Sequence, residues 1–208
     1  CTYPTSGQGK TTASDIAGLD GYLPHISEGI NAAARNEFVC TSNTSAMVPL
    51  ANDLLEPQTA IVHAVGMRAG DFAKMRDELA AVVWSPRSNV VLYGNTTAVT
   101  LVDRLSIPIA LGTDWLPSGS MNILRELRCA DELNDLYFDK HFSDLELWRM
   151  VTENGAMATG TSHVIGALRE GFVADIAIFD ASVRSDFRAV IGAGVEDVVD
   201  ERQHMRRL

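Results

Sequence analysis

The side chains able to do chemistry in this sequence stand where short apolar runs stop. Ser106-Ile107-Pro108-Ile109-Ala110-Leu111 ends in Gly112-Thr113-Asp114-Trp115, and Thr59-Ala60-Ile61-Val62 ends in His63. Tyr22-Leu23-Pro24 leads to His25, with Glu28 three residues on, and Ala80-Ala81-Val82-Val83-Trp84 runs into Ser85-Pro86-Arg87-Ser88-Asn89. Imidazoles and carboxylates are the groups that move protons near neutral pH and hold divalent cations. Taken singly, each has a structural role. Asp114 caps the helix that follows, Glu28 complements a helix dipole in a first turn, and a lone His bonds to backbone. Four such groups at four successive strand ends (His25, His63, Ser88 with Asn89, and Asp114) point instead to the catalytic face of a barrel, where chemistry sits at the strands' carboxyl ends.

The elements that must position them alternate. A short extended segment over 21–29 leads into a helix from about Ile30 to Phe38, and a second strand runs from Thr59 to Met67. Asp71 caps a helix whose apolar face is Phe72, Met75 and Leu79, and a third strand covers 80–84. A helix over 98–105 turns Val99, Val102 and Leu105 inward, and the fourth strand is followed by a helix near 122–136. Continuous apolar strands of this length suit a parallel sheet covered on both faces, and Pro108 suits the start of one. Four βα units therefore occupy residues 21–165. Residues 1–20 and 39–58 read as connecting segments, the second closing in a turn at Glu56-Pro57-Gln58. Gly9-Lys10-Thr11 falls short of a phosphate loop, since Pro4 stands where that loop needs glycine. Ser143 and Glu146 form a capping box for a helix through Val151. From 166 to 208 the rhythm changes to β character, with a strand alternating up to Asp180 after the turn at Gly171.

The 208 residues are 46% hydrophobic, enough for one sizeable core and a small appended unit. A net charge of −10 excludes the basic footprint of a nucleic-acid binder. No apolar run reaches the roughly 18 residues of a membrane span, and the start has no signal-peptide pattern. Cys1, Cys40 and Cys129 lie far apart without a CxxC spacing, which argues against a disulfide scaffold and a thiolate zinc site and favours a reducing, cytoplasmic location.

The ordered set HISEG (25–29), VHAVG (62–66), SPRSN (85–89), ALGTDW (110–115) and GALREGFVADIAIFD (166–180) resembles the amidohydrolase superfamily, and within it the cytosine deaminase and chlorohydrolase-like aminohydrolase branch. The resemblance runs from about residue 23 to about residue 195. It implies the second half of a (β/α)8 metal-dependent hydrolase barrel, units five to eight, with a return into part of a small β-sandwich. It assigns His25 as a metal ligand, Asp114 as a metal ligand and base for water, and Glu28 as the acid that shuttles a proton to substrate. His63 orients and polarises the attacked group, or serves as a second ligand in dinuclear members. The implied cofactor is one divalent metal, zinc by its imidazole and carboxylate donors, with iron or manganese as alternatives. The implied reaction is hydrolysis of a C–N bond in a small molecule, of deaminase or cyclic-amide hydrolase type. Trp115 and Met67 are candidates to line an apolar pocket for a flat ring, with ordinary core positions as the alternative. Asn89 is a further substrate-binding candidate.

The sequence departs from the family at one point. The family supplies two ligands from a His-x-His pair after its first strand, and the five histidines here (His25, His63, His141, His163, His204) contain no such pair. His141 and His163 are expected at the surface. The chain is thus expected to be part of a longer protein and incompetent alone, with partners in a missing N-terminal half or a homo-oligomer. The alternative is a non-catalytic α/β binding or assembly module derived from an amidohydrolase.

Overall fold

In the computed structural model, residues 11–43 and 52–207 are described; Gly9, Lys10 and the middle of the 39–58 connection lie outside them. Among the described residues the apolar runs form a parallel sheet of β1 (His25–Ile26), β2 (Ala60–His63), β3 (Ala81–Trp84) and β4 (Ile109–Leu111), in the order β1-β2-β3-β4. The register pairs Ile26 with His63, Val62 with Val83, and Trp84 with Leu111, so the strand ends come out level. β1 is short because Pro24 offers no N–H. Its carbonyl still accepts from Val62 N at 2.9 Å, and the isolated bridge from Tyr22 to Thr59 extends the pairing.

Alternation along the strands sorts the core. Ile61, Val82, Trp84, Ile109 and Leu111 pack with the helices, while Ala60, Val62, Ala81, Val83 and Ala110 form a second, small-residue cluster with Ala158. Both faces are covered, which is why the strands read as continuous apolar runs.

α1 (Ala13–Ile16) starts on Thr12 and Asp15, so the end of the 1–20 segment is a helical turn and not loop throughout. α2 (Ala32–Thr41) begins two residues later than expected because Asn31 caps it, its side chain accepting from Ala34 N at 2.9 Å. In α3 (Ala69–Asp77) Asp71 is an inner partner of the cap. It accepts from Arg68 N and takes a bidentate pair from Arg35 at 2.7 and 2.8 Å. Phe72 and Met75 are buried as expected, but Leu79 lies past the helix end at φ 60° and is 72% exposed.

The segment SPRSN, expected as the end of the third strand, begins a helix that the sequence reading missed. It opens α4 (Pro86–Tyr93), with Pro86 in the first turn, where its missing N–H costs nothing, and left-handed Gly94 closing the helix. α5 (Val99–Arg104), α6 (Ile123–Leu136) and α7 (Asp144–Met150) follow close to expectation, with Asn122 and Ser143 as caps, and α8 (Glu153–Ala158) continues from α7. Beyond them β5 (Val173–Phe179) and β6 (Val198–Arg207) pair antiparallel. Between them α9 (Asp186–Ile191) docks back on the helices through Phe187 against Trp148 and Arg188 against Asp131 and Asp144.

His163 is exposed as expected, but His141 is largely buried and bonds Asp103 at 2.8 Å. Cys129 is a free thiol. No helix among the described residues is long and apolar enough to cross a membrane.

Candidate active site

The level strand ends are also where the backbone turns left-handed. Ser27 follows β1 at φ 56°, His63 and Ala64 close β2 at 75° and 56°, and Asp114 follows β4 at 55°. Such conformations cost a non-glycine residue about 1–3 kcal/mol each and persist where packing imposes them, often at functional sites. Here they turn side chains out of the sheet. The loops after β1 and β2 also touch. Ser27 O accepts from Gly66 N at 3.0 Å, and a Cβ on Gly66 would stand 2.7 Å from Gly29 O. Only glycine fits there, and the close approach brings the turn carrying Glu28 over His63.

His25, Glu28 and His63 converge, with one ligand atom from each inside a 4.8 Å circle. His25 Nδ1 and His63 Nε2 are 3.2 Å apart, and each is 3.6 Å from Glu28 Oε2. Zinc binds nitrogen and oxygen at about 2.0–2.2 Å in tetrahedral sites, which sets neighbouring donors about 3.3–3.5 Å apart. The donor types and their spacing therefore fit a divalent ion. His63 is fully buried and its Nδ1 faces Asn89 Oδ1 at 3.1 Å, while His25 is exposed.

Glu28 is held from its other side by a residue that the sequence reading missed. Tyr93, in the last turn of α4, donates its hydroxyl to Glu28 Oε1 at 2.8 Å. Burial, then the bond to Glu28 and the charges of Glu28, Asp114 and Glu37, push the phenol up to about 12, so it stays a donor at any working pH. Glu37 of α2 fixes the turn beneath by accepting from Ser27 N at 2.9 Å, and burial pushes its carboxyl above the usual range.

Asp114 does not join the three-residue cluster. It accepts the hydroxyl of Ser88, itself buried in the first turn of α4 with Ser118 Oγ at 3.4 Å. The substrate-binding candidates also separate. Trp115 is 62% exposed and so is not a core residue, whereas Met67 is 7% exposed inside the main core cluster, which is the structural alternative. Asn89 is fully buried with both ends of its amide bonded to protein, so it supports His63 and does not face a ligand.

Behind Asp114 lies a second carboxyl without solvent. Glu126 of α6 is fully buried, accepts Arg87 N at 2.9 Å through Oε1, and leaves Oε2 without a partner among the described residues. Burial is the main cause holding its carboxyl above the ordinary value of 4.5. A native state that keeps this proton binds more protons than the unfolded chain, so stability falls as pH rises from 4.5 through the raised value. Glu126→Gln keeps the acceptor for Arg87 N and removes that slope. Urea denaturation is therefore expected to show the variant gaining on the parent from pH 4.5 to pH 7.

Comparison with known proteins bears on the fold and the family. A putative aminohydrolase from Methanothermobacter thermautotrophicus is 30% identical over 131 residues, 63% of this chain and 33% of its own length. A 5-methylthioadenosine/S-adenosylhomocysteine deaminase from Pyrococcus abyssi is 32% identical over 130 residues, 61% of this chain and 30% of its own. The chain spans about a third of the length of these curated relatives. An adenosine deaminase from Xanthomonas campestris, solved with bound zinc, superposes with a TM-score of 0.72 at 20% identity, over 88% of this chain and 44% of its own. The zinc complex of atrazine chlorohydrolase from Arthrobacter aurescens gives 0.70 at 21% identity, over 89% and 43%. These likenesses identify the parallel sheet and its helices as a (β/α)8-type α/β fold. The sequence pattern of the Amidohydrolase family matches residues 9–199, so the chain belongs to the amidohydrolase family.

Proposed function

We propose that this chain supplies the proton-handling half of a metal-dependent aminohydrolase site that removes an amino group from a trigonal carbon of a small nitrogen heterocycle. The observation that carries the proposal is the convergence of His25, Glu28 and His63, with Tyr93 and Asn89 fixing the carboxylate and the buried imidazole. The deaminase names of the relatives and the zinc in the solved neighbours support the substrate class and the metal.

His25 is the proposed metal ligand, with Asp114 as ligand and base and His63 as a second nitrogen donor; zinc bound there would lower the pKa of water to about 7. In the net reaction water oxygen bonds to the carbon, the C–N bond breaks with its electron pair on nitrogen, and that nitrogen takes up a proton. Glu28 carries the proton. Its Oε2 faces the two imidazoles while Tyr93 holds Oε1, so one oxygen is positioned and the other is free to exchange. Residues 21–165 form barrel units five to eight in this proposal, and β5 with β6 forms the return into a β-sandwich.

The sequence's lack of a His-x-His pair implies that these residues alone hold the metal incompletely and do not turn over. It also favours the second reading, a non-catalytic module. One experiment separates them: ammonia release with Zn2+ from a panel of amino-purines and amino-triazines. It is run on the chain alone and on the chain co-expressed with the first half of the Pyrococcus abyssi relative. Deamination that needs both segments is the expected result. Turnover by the chain alone overturns the division of the site, and a zinc-loaded complex without turnover supports the binding module.

Tyr93→Phe tests how Glu28 is held. A hydrogen bond to a charged group contributes about 1.5–3 kcal/mol, so kcat of the complemented enzyme is expected to fall by about 10–150-fold if the whole effect appears in the transition state. KM should change little, because the phenol touches Glu28 and not substrate.

A further inference from the structure

His63 is the one imidazole of the cluster with no exposure to solvent, and its ring nitrogens have different neighbours. Which of them carries the proton decides what the ring can do, and the surrounding hydrogen bonds determine the answer.

Thr97 lies between α4 and α5. Its hydroxyl bonds the carbonyl oxygen of His63, which can only accept, so the single hydroxyl hydrogen is committed there. Toward Asn89, 3.2 Å away, Thr97 Oγ1 can then only accept. The atom that Asn89 turns to Thr97 must be its amide nitrogen. The second hydrogen of that amide points to Thr96 Oγ1 at 3.5 Å, a hydroxyl that also accepts from Trp84 Nε1 at 2.7 Å. With its nitrogen so placed, Asn89 presents Oδ1 to His63 Nδ1 at 3.1 Å. An amide oxygen only accepts, so Nδ1 must carry the hydrogen. In the neutral ring Nε2 is left with a bare lone pair, aimed at His25 Nδ1 and Glu28 Oε2.

We infer that Thr97, acting through Asn89, is a positioning residue that locks His63 in the Nδ1–H tautomer. Rotating the Asn89 amide, with the ring proton moved to Nε2, would remake the bond to Nδ1 but set Oδ1 against the Thr97 lone pair, so a buried amide would lose its bond to Thr97. The same hydroxyl holds the carbonyl of His63, whose φ of 75° gives the ring its direction. Thr97 therefore fixes both the aim of the ring and its proton. The neutral ring can accept a proton or bind a cation at Nε2, and it cannot donate there. Of the two roles that the family resemblance offers for His63, ligation or proton acceptance fits this tautomer, and polarising a substrate by donation requires the charged ring.

The inference rests on His63 belonging to the proposed site, but its test reads the ring and not the reaction. Long-range 1H–15N correlation on the 15N-labelled chain, above the ordinary histidine range at pH 8.5, distinguishes a protonated from a bare ring nitrogen. The expected spectrum for His63 has Nδ1 protonated and Nε2 bare. A protonated Nε2, or an even mixture, overturns the proposal. Thr97→Val removes donor and acceptor at similar volume, and His63 is then expected to populate both tautomers, with Thr97→Ser restoring one. A valine variant that keeps the parent tautomer overturns the part assigned to Thr97. Should the valine variant not fold, Asn89→Asp tests the same chain. A carboxylate still accepts from Nδ1 but cannot donate to Thr97, so the Nδ1–H form should persist, and its loss overturns the proposal. In the complemented enzyme Thr97→Val should also lower activity by about 10–100-fold, the range seen for groups that orient a ligating histidine.

Discussion

Glu28→Gln is expected to lower kcat for deamination in the complemented enzyme by about 10²–10⁴-fold, the usual contribution of a positioned general acid or base, with KM little changed. The amide has the shape of the carboxylate, and its oxygen can still accept the Tyr93 hydroxyl now bound 2.8 Å away at Oε1. Its nitrogen would stand where the carboxylate oxygen now lies, 3.6 Å from His63 Nε2. The variant thus keeps the local packing and loses only the capacity to exchange a proton. Zinc content is the discriminating second measurement. If Glu28 shuttles protons, the variant holds as much zinc as the parent while turnover falls. If Glu28 is a ligand, as its place in the three-residue cluster also allows, zinc and activity fall together and the proton carrier must be sought elsewhere.

What could be read from the sequence about this site was whatever is local along the chain. His25, His63 and Asp114 each end an apolar run, and a parallel sheet brings run ends level, so periodicity was enough to place them on one face. Tyr93 escaped because SPRSN was read only as the end of the third strand, with the next helix placed at 98–105. Pro86 followed eight residues later by Gly94 was the available signal for a helix, and in a helix Tyr93 lies one turn beyond Asn89 on the same side. The separation of Asp114 from the cluster had no such signal, since it depends on Ser88, 26 residues away, taking up its carboxylate. The same is true of Met67. Standing near a strand end, it could line a pocket or fill the core, and only the packing of the β2–α3 connection decides for the core. Types and spacing gave candidates, whereas partners across the fold gave roles.

Phe72→Ala should destabilise the chain by about 3–5 kcal/mol, the cost of emptying a large aromatic side chain from a closed core. Phe72 has no exposure and sits on α3 in the main core cluster with Ile61, Ala64 and Val82. That cluster also sustains the backbone of the site. His63 and Ala64 both hold positive φ at the end of β2, and Ala64 is itself a core residue. A left-handed pair costing about 1–3 kcal/mol per residue cannot persist on its own hydrogen bonds, and the apolar packing around Ala64 offsets it. If strain and core form one cooperative unit, Phe72→Ala lowers the urea midpoint while the His63 ring spectrum stays native until global unfolding. Were the strained turn to melt first, the His63 signals would change at lower urea than the far-ultraviolet circular dichroism. The site would then be stabilised locally, by the Asn89 and Thr97 bonds and not by the core. The full burial of His63, and of Ala64 in the same core cluster as Phe72, favours the single transition.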